Sequence, residues 1–292
     1  MAHSNTQSSP WQAYGLGLLG VLCFAATLPL TEIALADFSP WFITAARAGI
    51  AGMLAVVVVG IRRRPWPERT EIRNLWMCGL CLAYGFPLSM ALGLQTVPAY
   101  HGGIVLGILP LATAGLSVVV HGYRARSLFW VWAVLGSVLV STFAWYEGEG
   151  GWVAGDLWLV AAAFFASYGY VLSSRLSVKH GGWWVISWSL IVWLPVSAIL
   201  SGLSWPAFLL SRPLDSLVSL MALAVFSMYL GFFAWNQALA MGGVARIGQV
   251  QLFQVFLTLF WSAILLDSDL PMHSWWFAIA VMITVYFGRK AG

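Results

Sequence analysis

The stretch "VPAYHGGIVLGILPLATAGL", residues 97–116, is apolar enough to lie in the hydrocarbon core of a membrane. It also contains His101, the pair Gly102 and Gly103, and Pro110 in its middle. Lipid penalises both a polar side chain and a missing backbone hydrogen bond, unless protein or water surrounds them. The stretch therefore predicts a transmembrane helix that borders a wet passage or other protein on at least one face.

The composition of the whole chain agrees with that interpretation. Of the 292 residues, 61% are hydrophobic and 8% are charged, whereas soluble domains carry about 25% charged residues. A soluble fold of this size needs a polar surface that this sequence does not supply. The apolar runs are long and continuous, which favours helices over the alternating strands of a membrane barrel. We therefore predict an all-α membrane protein.

Polar or turn-rich breaks divide the chain into ten apolar stretches, each close to the roughly 20 residues that a spanning helix needs. We predict ten transmembrane helices, at residues 12–31, 40–61, 72–94, 99–121, 127–145, 153–174, 183–202, 214–239, 245–266 and 272–288. The first ten residues lack the positive charge that opens a signal peptide, so we expect the first helix to be retained.

Basic residues concentrate in alternate connections between these stretches. If the N-terminus is cytoplasmic, the inner side receives 12 of the 14 basic residues: Arg62, Arg63, Arg64, Arg69, Arg73, Arg124, Arg126, Arg175, Lys179, Arg246, Arg289 and Lys290. The outer connections receive only Arg212. Because Lys and Arg in short connections stay inside, we predict cytoplasmic tails at residues 1–11 and 289–292.

The ten stretches divide into two halves of five, residues 12–145 and 153–288, joined by a periplasmic linker at 146–152. An odd number of spans inserts the second half upside down relative to the first. A faint sequence echo accompanies this division, because "ALGLQTVPAYHG" from Ala91 resembles "ALAMGGVARIGQ" from Ala238. Inverted repeats recur in secondary transporters, whose substrate site lies between the halves near the midplane.

The stretch "FSPWFITAARAGIAGMLAVV", residues 38–57, resembles the second span of EamA-type exporters in the drug/metabolite transporter superfamily. Members of that family show a Ser-Pro turn followed by an arginine within the helix, here Ser39, Pro40 and Arg47. The fourth span is also similar to the family's, with small residues early and Pro110 later. Many members repeat the proline in the ninth span, whereas this chain has "LFQVFLTLF" there.

The resemblance implies an exporter that moves small organic solutes, amino acids including aromatic ones, across the bacterial inner membrane by alternating access. Drugs, purines and other metabolites are the alternative substrates within the same superfamily. The expected partners are the solute and the lipid bilayer. No cofactor, metal, nucleic acid or obligate protein partner is expected.

Polar side chains within the spans are the candidates for a substrate cavity. Gln251, Gln254 and Thr258 lie three and four residues apart and share one face of the ninth span. Further candidates from other spans are Tyr84, Ser89, His101, Tyr168, Trp188, Tyr229 and Asn236. These amides, hydroxyl groups and rings fit a solute with both polar and apolar parts. The alternatives are a hydrogen bond between helices for the glutamine pair and a structural role, at the inner end of its span, for His101.

Small residues and proline in the fourth span are candidates for hinges. Gly102 and Gly103 allow a neighbouring helix to approach closely, and Pro110 removes one helical hydrogen bond. We expect the gates to be formed by the paired third and fourth spans and the paired eighth and ninth spans.

Arg47 is the one charge well inside a predicted span, about 10 Å from its outer end. It is expected either to pair with Glu32 or Asp37 or to attract the carboxylate of a substrate. Every carboxylate lies in a connection or at the end of a span. We therefore predict transport without a carboxylate relay, by facilitated movement down a gradient or with coupling through another group, His101 included.

Enzymatic motifs lack their usual context. The sequence "CGLC", Cys78 to Cys81, has redox spacing but lies in a predicted membrane helix. Neither a G-x-S-x-G elbow, a H-E-x-x-H pair nor a phosphate-binding loop is present. A membrane-embedded enzyme or a sensor is the alternative of another class.

Overall fold

The computed structural model describes residues 10–121, 126–147, 152–207, 209–242 and 247–291, which fold into helices without any strand. Eight segments are long and apolar enough to cross a membrane: α1 (Trp11–Leu35), α2 (Pro40–Ile61), α3 (Arg69–Gly93), α4 (Ala99–Val120), α5 (Ser127–Glu147), α6 (Ala154–His180), α7 (Gly182–Leu203) and α8 (Leu214–Gly242). Two shorter apolar helices follow, α9 (Val250–Leu265) and α10 (Met272–Gly288). The all-α membrane class is confirmed, while ten full spans remain a prediction.

Some predicted features fall on residues outside the described part of the chain. These are most of the tail 1–11, most of the linker 146–152, and the two basic residues Arg124 and Arg246. The predicted tail 289–292 continues the last helix as far as Ala291.

The ends of two helices show what fixes their length. Pro40 opens α2 in the first helical turn, where its missing amide hydrogen costs nothing, and Ser39 caps it by accepting a bond from a backbone amide. Helix α6 ends later than predicted, at His180. Its last turn is held because Lys179 and His180 both donate to Glu71, at 2.6 and 2.8 Å.

The two halves pack in a symmetric pattern. Helix α2 packs on α7, α4 on α9, and α5 on α10, while α1 packs on α8 and α3 on α6. Exchanging each helix with the one five places along reproduces this same set of pairs. That self-complementarity is the property of a two-fold interface, here formed between the two halves of one chain.

The paired helices run in opposite directions. In α2, a methyl group added at Gly49 would lie 3.5 Å from the Cβ atom of Ser197. One added at Gly52 would lie 2.9 Å from a Cδ atom of Leu194, earlier in α7. Helices α5 and α10 cross in the same antiparallel sense. The structure therefore relates the halves as inverted repeats.

The third helix of each half contains wide, π-type turns, at Leu80–Gly85 in α3 and at Leu223–Gly231 in α8. In α3 these turns precede Pro87, which has no amide hydrogen to donate to the carbonyl of Ala83. Wide turns of this kind often occur at functional sites. Their presence in corresponding helices is a second sign of the repeat.

Helices α1 and α4 are each interrupted before a proline. In α1 the break lies at Ala26, three residues before Pro29, which leaves the carbonyl of Ala25 without its helical donor. In α4 the break lies at residues 107–108, before Pro110, where tighter turns replace the α-helical bonds. The interruption that the sequence predicts around Pro110 is present.

Charged side chains separate to the two ends of the bundle. One end is formed by the last residues of α2 and α6 and the first residues of α3 and α7. It carries Arg62, Arg64, Glu71, Lys179 and His180. The opposite end carries Glu32, Asp37, Glu147, Asp156 and Arg212. This separation agrees with the charge pattern in the sequence, although the orientation in the membrane remains a prediction.

Candidate functional site

A small polar cleft lies where α4 crosses α9 beside α1; we call it the glutamine cleft. It is lined by Leu28, Gly103, Leu106, Gly107, Pro110, Gln251, Gln254 and Val255. Its room for water-sized molecules amounts to about 10 Å³, enough for about one water molecule. The structure thus brings the glycines and proline of the fourth span together with the glutamines of the ninth, in a closed arrangement.

Several polar atoms on α8 and α9 are buried without a hydrogen-bond partner among the described residues. They are Nε2 of Gln251, Oε1 of Gln254, Nδ2 of Asn236 and Nε1 of Trp235. A buried polar group left unpaired costs about 1–3 kcal/mol. Native proteins contain few such groups, and each one calls for an explanation such as a ligand or water. These four lie along the end of α8 and the beginning of α9.

Aromatic rings pack next to Gln251. Tyr170 of α6 lies close to the Gln251 side chain but outside hydrogen-bond geometry. The ring centroid of Tyr170 lies 6.3 Å from those of Phe232 and Trp235. Phe24 of α1 completes the group, 4.8 Å from Phe232. This aromatic cluster joins the first half of the chain to the second.

The tyrosine beside the cleft is Tyr170, not the predicted Tyr168. Tyr168 stacks on Phe164, whose side chain is 55% exposed on the outside of the bundle. Residues two apart on a helix point about 200° apart, so only one of the two tyrosines faces inward. The sequence did contain a signal for the inward face, because the small residues Ala163 and Ala166 precede Tyr170 on the same face of the helix. Both alanines are buried.

His101 lies apart from the glutamines, on a face of α4 turned toward α5 and α6. Its Nε2 atom is 2.7 Å from Oδ1 of Asp156, and both side chains are buried. Asp156 also accepts a bond from the amide of Val153 at the start of α6. The expected position at the inner end was wrong, because α4 reverses the direction of α3 and therefore begins at the acidic end. The contacts favour the structural role for His101.

Two predicted tyrosines join α7 to the wide-turn stretches. The hydroxyl of Tyr84 in α3 is 2.6 Å from Oγ of Ser197. The hydroxyl of Tyr229 in α8 lies 3.1 Å from Oγ of Ser187 and accepts a bond from Trp183. Both tyrosines therefore have polar partners within the protein and lie outside the glutamine cleft, Tyr84 between the halves and Tyr229 within the second half.

The three remaining predicted side chains do not line the glutamine cleft. Trp188 packs beside His180, with ring centroids 5.2 Å apart, near the basic end. Ser89 is buried in α3. Asn236 accepts a bond from Ser173 at 3.4 Å, one turn beyond Tyr170 on α6. Asn236 also packs against Gly182 at the start of α7, so its contacts lie within the second half of the chain.

The glycines of α4 are contact points. A methyl group added at Gly102 would come within 2.6 Å of Leu28, and one at Gly103 within 2.6 Å of Cγ2 of Thr258. Thr258 in turn donates to the carbonyl of Ala25. Gly102 and Gly103 thus let α1, α4 and α9 meet without a gap, and their part in gating remains a proposal.

Arg47 does not make the ion pair that was expected. Its side chain is 1% exposed and points from α2 toward α8, where Nη2 donates to Oγ of Ser227 at 3.1 Å. Asp37 is instead paired with Arg212, at 3.6 Å. Glu32 accepts a backbone amide at the start of α4. The pairing expectation was wrong because the guanidinium group faces the core rather than the outer surface.

Comparison with known proteins gives three findings. Two successive parts of the chain, residues 11–144 and 153–288, match the model of the EamA-like transporter family. A Bacillus subtilis (strain 168) protein described as "Uncharacterized transporter YdeK" is 38% identical over 269 residues, covering 92% of each chain. A solved crystal structure, 18% identical, aligns over 94% of this chain and 95% of its own with a TM-score of 0.66, which indicates a shared fold. The two matched parts coincide with the two structural halves.

Proposed function

Because the chain belongs to the EamA-like transporter family, we propose that it exports amino acids, including aromatic ones, across the bacterial inner membrane. Family membership by itself supports membrane transport of small solutes. The amino-acid substrate, the outward direction and the alternating-access mechanism are the further parts of this proposal.

The observation that carries the proposal is the pair of unpartnered polar atoms on Gln251 and Gln254, which line the cleft between α4 and α9. They lie between the two halves, where inverted-repeat carriers place their substrate site. A primary amide both donates and accepts hydrogen bonds, so these side chains suit polar groups of an amino acid. The neighbouring rings of Tyr170 and Trp235 suit an apolar or aromatic side chain.

The helix breaks support a rocking mechanism. In alternating access, one repeat moves against the other around a fixed site, and hinges absorb the change in backbone angles. The interruptions in α1 and α4, two of the helices that line the glutamine cleft, and the wide turns in α3 and α8 are candidate hinges of this kind. Opening there would enlarge a space that holds about one water in this conformation.

Coupling through a carboxylate relay is not part of this mechanism. Asp156 is fully buried but is held by both His101 and the amide of Val153. A carboxylate in such a fixed arrangement serves the packing of α4 against α6. We expect solutes to move down their own gradients.

The test is transport in liposomes that contain the purified protein. Labelled amino acids are followed in both directions, for wild type, Gln251→Ala and Gln254→Ala. Gln95→Ala is the matched control, because Gln95 is an exposed glutamine in a connection. We expect wild-type flux, a loss of about tenfold or more in the two cleft variants, as when a partner of a buried polar contact is removed, and no change in the control.

The other outcomes are equally informative. If none of the twenty amino acids crosses in either direction, the amino-acid substrate is wrong, and labelled purines and drugs are the next solutes to assay. If no solute of these classes crosses, the membrane-embedded sensor or enzyme becomes the better interpretation.

A further inference from the structure

The Arg47 side chain is a buried cation without an anion. Its Nη2 atom donates to Ser227, whereas Nε and Nη1 have no hydrogen-bond partner in the described part of the chain. The hydroxyl of Thr44, one turn earlier on α2, is also buried without a partner. None of the ion pairs found between described residues includes Arg47.

Such an arrangement carries a large free-energy cost unless something compensates it. Burying a charge without a counter-charge is strongly unfavourable, and arginine does not lose its proton in proteins. The flat guanidinium fork matches the paired oxygens of a carboxylate or a phosphate, and the proposed amino-acid substrate carries a carboxylate. We propose that Arg47 and Ser227 form the subsite that holds the carboxylate of the transported solute, an inference that rests on the proposed transport function.

The position of this subsite links the two halves of the chain. Ser227 lies in the wide-turn stretch of α8, and its hydroxyl is 2.7 Å from that of Thr27 in α1. Thr27 directly follows the break at Ala26. An anion bound to Arg47 therefore contacts α2 of the first half and the deformable part of α8, next to the break in α1.

The turn of α1 that contains Thr27 and Leu28 lies between the subsite and the glutamine cleft. Thr27 faces Ser227, while the next residue, Leu28, lines the cleft. Phe24, one turn earlier, belongs to the aromatic cluster with Phe232. A solute with its carboxylate at Arg47 therefore has aromatic and amide side chains nearby for its remaining groups. The expected class is small monocarboxylates with an apolar or aromatic body, and amines or amides of the same shape are excluded.

The first test uses wild-type protein in liposomes and asks which compounds compete with labelled phenylalanine. Phenylalaninamide replaces the carboxylate with a neutral amide, and phenethylamine lacks the group entirely. We expect both to compete at least about tenfold more weakly than phenylalanine, because they lose a charge-assisted contact. Equal competition by phenylalaninamide, with measurable phenylalanine flux, overturns the subsite and leaves the transport function standing.

Variants then locate the effect. Ser227→Ala removes the hydroxyl group of the subsite. We expect it to weaken competition by phenylalanine several-fold and to leave competition by phenylalaninamide unchanged. Ser197→Ala is the matched control. It breaks the contact with Tyr84 between α7 and α3, which are the counterparts, in the repeat, of α2 and α8. The proposal is overturned if Ser227→Ala weakens both compounds equally or if Ser197→Ala shows the same selective loss.

A binding measurement separates the subsite from the transport function. Thermal unfolding of the protein in detergent is followed with phenylacetate or phenylacetamide, for wild type, Arg47→Gln and Ser227→Ala. We expect phenylacetate to raise the Tm of wild type but not of Arg47→Gln, and phenylacetamide to have no effect on either. That result supports the subsite even if no amino acid crosses the membrane. The subsite is overturned if phenylacetate and phenylacetamide change the Tm of wild type equally. If Arg47→Gln does not fold, the same comparison is made with Ser227→Ala.

Discussion

The hydroxyl group of Thr258, on α9, donates a 3.2 Å hydrogen bond to the main-chain carbonyl of Ala25, on α1. That carbonyl has no helical donor because Pro29, four residues later, lacks an amide hydrogen. Within a membrane, a freed carbonyl must find its donor inside the protein. A side chain from the second half thus stabilises the helix break in the first half, close to both the glutamine cleft and Ser227.

Replacing Thr258 with valine keeps the shape of the side chain and removes the donor. We predict that Thr258→Val lowers the free energy of unfolding in detergent by about 1 kcal/mol, the usual size of such a bond between membrane helices. Thr142→Val is the control, because the hydroxyl of Thr142 bonds the carbonyl of Val138 within its own exposed helix. Equal losses in both variants would show that the contact with Ala25 has no special importance.

The same threonine limits what can replace Gly103. A methyl group at Gly103 would lie 2.6 Å from Cγ2 of Thr258, so we predict that Gly103→Ala destabilises the protein by about 1–3 kcal/mol through overpacking. Adding Thr258→Ser removes that methyl group and keeps the hydroxyl, so the double variant should recover most of the loss. Gly115→Ala on the same helix, where the nearest atom is 3.9 Å away, should have little effect.

The rescue is the decisive part of this prediction. If Thr258→Ser fails to restore stability to Gly103→Ala, as measured by unfolding in the same detergent, then α4 and α9 do not approach each other at this point.

The buried pair of His101 and Asp156 should contribute stability rather than transport. Removing either partner leaves the other buried and unpaired, which typically costs about 3–5 kcal/mol. We therefore expect His101→Leu and Asp156→Leu each to be strongly destabilising, and the double variant to lose much less than the sum. The check is a double-mutant cycle by thermal unfolding, followed by flux measurements on the double variant. A stable double variant without any flux would instead point to a role for the pair in transport.

The helices were predictable because a membrane restricts the solutions. The span predicted at 40–61 coincides with α2, since both its apolar run and its proline start are local features. The span predicted at 153–174 was too short, because α6 continues to His180. The length of an apolar stretch measures only the lipid-covered part of a helix. The last turns of α6 depend on the contact between Lys179 and Glu71, two residues that are distant in sequence.

The site was predictable only where spacing along one helix carries the information. Gln251 and Gln254 are polar residues one turn apart in a largely apolar stretch, and the structure places both at the same cleft. The partner of Arg47 could not be inferred, because Ser227 is 180 positions away and its facing direction depends on the wide turns of α8. Tyr170 was missed for a similar reason, since the choice between two tyrosines depends on which helix lies opposite.

Gln254 should show opposite effects on stability and on transport. Its Oε1 atom is buried without a partner among the described residues, so replacing the amide with a similar apolar group removes an unsatisfied polar atom. We predict that Gln254→Leu is at least as stable as wild type and transports at least about tenfold more slowly, the pattern that binding sites often show. A variant that loses both stability and flux in parallel would indicate that the glutamine is a structural group.

The orientation of the bundle can be tested with single added cysteines at its two ends. Glu68 is exposed at the basic end and Asp269 at the acidic end, and the positive-inside rule places the basic end in the cytoplasm. We therefore expect a membrane-impermeant maleimide to label Asp269→Cys in intact cells and Glu68→Cys only after permeabilisation. The parent chain is the control, because the thiols of Cys78 and Cys81 are buried. The reverse labelling pattern would invert the topology, and with it the side of the membrane on which the acidic end lies.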